Sequence, residues 1–528
     1  MAFCPPPCEP AIANTAVSRE TQGARSTGWI LAATILGSSL AFIDGSVVSV
    51  VLPVMQREMH TTIVNAQWVV EIYLLFLSSL ILVGGAVGDR WGRERAFTGG
   101  IIAFGAASIG CALAPNITWL IAWRAAQGIA AAFLVPGSLA ILGAAFSPGE
   151  RGQAIGTWSA ATAVVTAAGP VLGGWLVEHT SWRWIFALNV PLAAAVVAIM
   201  VSQVPFSAPA KVARSLDWTG AALITAGLGG IVFGLIESPH YGLGSLRVVL
   251  SLIVGVALVG AFIVVEDRVI RPLVPLMLFR SRAFSGANLI TLLLYAALGG
   301  ALFFLPFDLI QVHHYTATAA GAALVPLVIL VALLSRTAGE MADRFGITLL
   351  LTLGPLIAAI GLATFAMPGA GGSYFTTFFP GMVLLGLGMG ITVAPLTTAV
   401  LSSVDDEFEG VASGVNNAVA RLGGLLAIGV IGIIMVQRFS TQLDLGLAHA
   451  GAPAQVRQAL GAQALQLSAI TPPPAYAQVV TAAAVSAFRG AMIVSAVLAL
   501  AAAGVGATTL PPRRRSVTRP RQRTQGRT

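Results

Sequence analysis

Between residues 27 and 506 the chain passes fourteen times through a long, mainly apolar run bounded by charges, prolines or glycines. The runs cover roughly 27–52, 66–88, 96–114, 118–145, 153–177, 183–203, 217–236, 246–265, 283–307, 317–337, 347–367, 375–399, 410–437 and 484–506. About 20 residues of helix cross the hydrocarbon of a bilayer. Only a helix or a closed barrel satisfies its backbone N–H and C=O groups there. Barrel strands alternate and are about 10 residues long, whereas these runs are continuous and about twice that length. The pattern predicts an all-α polytopic membrane protein with fourteen transmembrane helices. Composition agrees: charged residues make up 9% of the chain and hydrophobic residues 56%, against about 25% charged in soluble domains. An ordinary cytosolic enzyme or soluble nucleic-acid-binding protein is excluded.

The formal charge of +8 comes from 28 Arg and one Lys, Lys211, gathered in short loops and the C-terminal tail. With both termini on one side, 21 of these residues fall on the side of the termini and five (Arg57, Arg183, Arg247, Arg438, Arg457) in the opposite loops. The positive-inside rule therefore places both termini in the cytoplasm of a multi-pass cytoplasmic (inner) membrane protein. The acidic loop at Asp405, Asp406, Glu407 and Glu409 runs against this bias, but acids weigh little in the rule. Cys4, Cys8 and Cys111 form no disulfide framework. Residues 1–26 hold no compact apolar stretch before a cleavage site, so no cleaved signal peptide is expected. The external segment 438–483 is read as a flexible or partly helical loop. The Arg- and Pro-rich tail 511–528 reads as disordered and suited to anionic lipid rather than nucleic acid.

Two segments share one pattern. Gly85-Ala86-Val87-Gly88-Asp89-Arg90-Trp91-Gly92-Arg93 closes the second helix, and Gly339-Glu340-Met341-Ala342-Asp343-Arg344-Phe345-Gly346 closes the tenth. Each follows the second helix of a six-helix block once helices seven and eight are set aside. The chain is thereby divided into a cytoplasmic segment 1–26, a six-helix bundle 27–203, two inserted helices with linkers 204–282, a second six-helix bundle 283–510 and the tail 511–528. Such repeats around a central path are a secondary-transporter architecture, a 6+2+6 plan that serves alternating access.

These loops resemble the cytoplasmic signature of the major facilitator superfamily. Other stretches narrow the resemblance: Ile43-Asp44-Gly45-Ser46-Val47-Val48, Arg124-Ala125-Ala126-Gln127-Gly128, Gly169-Pro170-Val171-Leu172-Gly173-Gly174, Trp182-Arg183-Trp184 with Asn189-Val190-Pro191, and Leu216-Asp217-Trp218-Thr219-Gly220. Together they are similar to the fourteen-spanner drug:proton antiporters of multidrug-efflux type. The resemblance implies a major facilitator fold and proton-coupled export.

An ionised carboxylate within a membrane helix is costly unless a cation compensates it. Asp44 is therefore expected to bind a proton reversibly, with Arg124 compensating its charge, a role the resemblance also implies for Arg124. Glu71, at similar depth, is expected to join them in a proton-coupling cluster or to face interfacial water. In the first loop Gly85 and Gly92 permit close backbone approach, and Asp89, Arg90 and Arg93 form a charge cluster able to latch one conformation. Gly156, Gly169, Pro170, Gly173 and Gly174 resemble the antiporter signature of the fifth helix, with Val165 in place of a further glycine. They make a side-chain-poor face for sealing the path. Asp308 either draws cationic substrate or is solvated. His313 and His314 lack a third metal ligand. Arg421 and Arg489 are read as lining the path or pairing with carbonyls.

No G-x-x-x-x-G-K-[ST] loop is present, so energy is expected from an ion gradient rather than ATP. The sequence points to a proton-coupled exporter of small amphipathic or cationic compounds, not an enzyme. It needs no cofactor or metal, and its partners are substrate, protons and the lipid bilayer. No pattern assigns an adaptor in an outer envelope. A nutrient importer and a non-transporting membrane sensor are the rival readings.

Overall fold

The computed structural model describes residues 24–204, 217–269, 272–405 and 408–509. The tail 511–528, the linker with Lys211 and Arg214, most of the segment 1–26, Asp406 and Glu407 lie outside the described residues, as do the side chains of Asp89 and Asp343. Fourteen helices are long and apolar enough to cross a membrane, and no strand occurs among the described residues. They are α1 (Thr27–Glu58), α2 (Ile63–Trp91), α3 (Arg93–Ala112), α4 (Ile117–Ala145), α5 (Pro148–His179), α6 (Arg183–Gln203), α7 (Trp218–Tyr241), α8 (Leu246–Glu266), α9 (Arg282–Val312), α10 (Ala317–Ala322 continued by Val325–Phe345), α11 (Ile347–Thr364), α12 (Phe379–Leu401), α13 (Glu409–His449) and α14 (Ala477–Thr509). With an even number of crossings both ends share one side, termed here the termini face; the other is the distal face.

Local chemistry starts and stops these helices. The side chains of Thr62, Asn116, Asp217, Ser281 and Thr316 accept hydrogen bonds from first-turn N–H groups of α2, α4, α7, α9 and α10, which have no intrahelical partner. At the end of α2, Gly92 takes φ 102°, and at the end of α10, Gly346 takes φ 92°. Glycine adopts this region without steric cost, so the repeated motif makes the same corner twice.

The packing follows the repeat. In the first half α1 packs on α5 and α6, α4 on α2 and α3, and α3 on α6; in the second, α9 packs on α13 and α14, α12 on α10 and α11, and α11 on α14. The halves meet where α2 lies against α13, α5 against α10, and α1 against α9. Helices α7 and α8 pack chiefly on each other, and α7 also touches α2 and α13. Helix α8, with the highest mean hydropathy of the fourteen at 3.0, is also the least buried. A helix apolar all round with one neighbour presents the rest of its surface to lipid.

Two boundaries differ from the sequence expectation. Helix α1 passes through Pro53 to Glu58, so Asp44 lies 14 residues from its distal end, about 21 Å at 1.5 Å per residue. That is near mid-helix, further from the distal end than the apolar run ending at residue 52 implies. The segment 438–483 takes the partly helical of its two expected forms, and its bounds are narrower: α13 extends to His449, a short helix covers Ala454–Ala462, and α14 begins at Ala477. What remains folds onto the distal face. There Gln56 Nε2 donates to Gln466 O at 3.2 Å, Gln311 Nε2 to Gln56 Oε1 at 3.1 Å, and Ser468 Oγ to Gln311 Oε1 at 2.6 Å.

Candidate functional site

A buried polar cluster fills the middle of the first half. Asp44 on α1 and Arg124 on α4 form an ion pair with both side chains 1% exposed. Arg124 donates a second bond from Nε to Val69 O of α2 at 2.9 Å and a third to Gln127 Oε1 at 2.9 Å. Its guanidinium carbon stands 4.2 Å from the centre of the Tyr73 ring, a cation–π geometry. Gln127, one turn along α4, is saturated. Its oxygen also accepts from Cys111 Sγ at 3.1 Å, and its nitrogen donates to Ser108 Oγ at 2.8 Å and Asp44 Oδ1 at 3.5 Å. Asn189 of α6 donates to the same Ser108 oxygen at 3.4 Å. Five helices of one half thus converge on a single carboxylate.

Both oxygens of the carboxylate are thereby engaged: Asp44 Oδ2 accepts from Arg124 and Oδ1 from Gln127, and a buried charge survives when it is paired and hydrogen-bonded in this way.

Glu71 is not part of this cluster. It is wholly buried, and neither carboxylate oxygen has a partner. Helical spacing on α2 explains the separation. Val69 and Tyr73 face Arg124, whereas Glu71, four residues after Gln67, shares the opposite face. Gln67 donates to Ile428 O of α13 at 2.9 Å, and next to it Trp68 Nε1 donates to Glu237 of α7 at 2.8 Å.

The approaches that join the two halves gather toward the distal face. Gly174 of α5 lies directly on the Ala317 carbonyl of α10, and Gly321 of α10 on the Pro170 carbonyl. A Cβ at either position would overlap backbone. Gly169 and Gly173 abut Ser46 and Val47 of α1. Gly156 has open space around it and belongs to no such face. Glu178 accepts from Thr318 N at 2.8 Å and Thr318 Oγ1 at 2.6 Å, joining the same two helices at their ends. Glu178 does not stand out in the sequence, where it is the first residue after the fifth apolar run.

In the first loop Arg90 is exposed, and Arg93 donates to Ala140 O of α4 at 3.3 Å. A Cβ on Gly85 would stand 3.7 Å from Pro136, so the loop packs on α4. The matching Arg344 is exposed, and Gly339 has open space. Asp308 is neither solvated nor on an open path. It is 5% exposed in the π-turn closing α9, 3.4 Å from His313 Nε2, because this turn packs on α14 and on the distal loop. Arg489 is exposed on α14 beside Ser486 and Ala370, not directed into the path. Arg421 makes no hydrogen bond to a carbonyl among the described residues. A cavity of about 200 Å³ in the second half is lined by Tyr295, Leu396, Thr397, Ser413, Asn416 and Asn417, among others. The polar lining residues were not singled out from the sequence, where they read as ordinary members of apolar runs.

Residues 34–428 match the Major Facilitator Superfamily family model. The chain is 32% identical over 419 residues to the tetracenomycin C resistance and export protein of Streptomyces glaucescens, covering 79% of this chain and 77% of that protein. It is 33% identical to the puromycin resistance protein of Streptomyces alboniger, covering 77% and 81%. It is 31% identical to a multidrug resistance protein B homolog of Mycobacterium tuberculosis, covering 77% and 76%. In fold it is similar to a bacterial homolog of the human lysosomal transporter Spinster, solved in an inward-facing and unoccupied conformation. That match has a TM-score of 0.64 at 16% identity and covers 92% of this chain and 97% of that one.

Proposed function

This chain belongs to the Major Facilitator Superfamily, and from that premise we propose that it is a proton-coupled exporter of small amphipathic, drug-like compounds in the cytoplasmic membrane. It is a transport protein and not an enzyme. The resistance and export proteins among its relatives support the direction of transport. The positive-inside bias supports cytoplasmic termini, which makes the distal face external. The conformation is then closed outside, with substrate entering from the cytoplasm between bundles 27–203 and 283–510. Within the segment 204–282, α7 and α8 serve as an inserted pair, α7 against α2 and α13 and α8 toward lipid.

The observation that carries the proton coupling is the buried Asp44–Arg124 pair within its saturated network. In the reading proposed here, Asp44 has released its proton inward and is held by Arg124, the state that accepts substrate. Opening of the α5–α10 seal exposes the path to the outside, substrate leaves, and a proton returns to Asp44. Neutralised Asp44 frees Arg124, and the distal face closes again. The first loop (Gly85, Asp89, Arg90, Gly92, Arg93) holds the other conformation, with Asp89 as its acid. The test uses inverted vesicles carrying an imposed pH gradient and a pH-sensitive dye. Adding lipophilic cations or neutral antibiotics is expected to collapse the gradient with the protein and not without it. Silence across a broad panel would overturn the reading.

Glu71 carries no coupled proton in this scheme. A buried carboxyl without partners is costly in its charged form, so the neutral amide suits the site equally well. Glu71→Gln is expected to keep at least half of wild-type gradient collapse and to leave thermal stability unchanged or raised. Loss of coupling in that variant would return Glu71 to the proton pathway.

A further inference from the structure

We propose that Arg421 anchors an anion-binding subsite where α13 faces the first half, so that the substrates include amphipathic molecules bearing an acidic group such as a sulfonate or carboxylate. This deepens the export reading above and rests on it. Arg421 stands on α13 seven residues before Ile428, whose carbonyl receives Gln67 of α2. About two turns from that distal contact, on the same helical face, it projects toward the first half and stands close enough to Tyr73 for the two groups to interact. It is only partly buried and so keeps accessible surface. Among the described residues it makes no hydrogen bond or ion pair.

Three acids of the membrane-spanning helices are bonded to other groups, and a fourth makes no bond. Asp44 is held by Arg124 and Gln127, Asp308 by His313, and Glu237 by Trp68 and His240. Glu71 lies in the α2 seam without a bond to any group. A guanidinium, always charged and shaped to bind planar or tetrahedral anions through two N–H groups, is thus left without a hydrogen-bond or ion-pair partner among the described residues. Its surroundings suit an amphipathic anion. Ala420, its chain neighbour, and Asn417, one turn earlier on α13, line the cavity of the second half with Thr397 and Tyr295, while Val393, Leu396 and Val400 supply apolar wall.

The test compares two fluorescent probes of similar shape, 1-anilinonaphthalene-8-sulfonate, an anion, and N-phenyl-1-naphthylamine, uncharged. Binding is measured on the purified full chain in detergent, corrected for empty micelles. A hydrogen-bonded charge pair should favour the anion by about tenfold or more. Arg421→Gln should lower anion affinity about tenfold and move the neutral probe by less than about twofold, while Arg421→Lys keeps part of the preference. Equal wild-type affinity for the two probes, or an unchanged anion affinity in Arg421→Gln, overturns the proposal. If Arg421→Gln does not fold, the wild-type preference and Arg421→Lys still decide. Binding uses no proton gradient, so the two readings fail separately. Gradient collapse without anion preference removes the subsite alone, and anion preference without gradient collapse leaves the subsite and removes the coupling.

Discussion

Arg124→Leu is expected to abolish transport and to destabilise the folded protein by about 3–5 kcal/mol, the usual cost of stripping one partner from a buried ion pair. The cost arises because Asp44 would keep only a 3.5 Å contact from Gln127 at a site 1% exposed. Unfolding in detergent, followed by denaturant or heat, measures it. The double variant Asp44→Asn/Arg124→Leu tests the cause. With the stranded carboxylate replaced by a neutral amide, at least half of the lost stability should return while transport stays absent. If the double variant is as unstable as the sum of the singles, the pair contributes through packing and not through charge.

Gly174→Leu is expected to be the most damaging change outside the charge cluster. The glycine faces the Ala317 carbonyl and the Thr318 nitrogen, and backbone at a helix crossing cannot move aside as a side chain tip can. The α5–α10 seal then cannot form, and transport should fall below about a tenth of wild type. A tenfold loss is about 1.4 kcal/mol, well within the cost of overpacking such a site. Spin labels at positions 180 and 314, both exposed near this seal, should report a longer separation than in the wild type. Gly156→Leu is the control within the same motif. Its Cβ meets open space, and transport should stay within about twofold, since surface changes of this kind cost little. Equal damage from both substitutions would mean that the motif acts through helix propensity rather than through the seal.

Much of the architecture was legible because the bilayer imposes it. Fourteen runs were long enough to span, and fourteen helices among the described residues are long and apolar enough to do so. The repeat at Gly92 and Gly346 was visible as a motif, and it reappears as two glycines of positive φ. Helix ends were less legible, since hydropathy marks where hydrocarbon stops and not where a helix stops. Residues 438–449 are polar enough to leave the membrane yet hold no proline and only Gly446 to break the helix, so α13 continues through them.

At the site, Asp44 and Arg124 stood out as charges inside apolar runs. Gln127 was recoverable in hindsight from its spacing of three on the same helix, which puts it on the Arg124 face. Glu71 was misplaced because depth was judged without direction. Depth is a property of position along a helix, whereas partnership depends on the angle around it, and Tyr73 and Val69 hold the face that meets Arg124. Asp308 was misread for a related reason. The loop that covers it is distant in sequence, and only its folding back onto α1 and α9 buries that end of α9.

The central claim is that Asp44 carries the proton exchanged for substrate, and proton release on binding tests it most directly. Purified protein is held in weakly buffered detergent solution with a pH indicator, and a compound already shown to collapse the gradient in vesicles is added. Wild type is expected to release protons in proportion to substrate bound, and Asp44→Asn to bind the compound with no release. Equal proton release from both proteins would contradict the account and move the exchanged proton to another group.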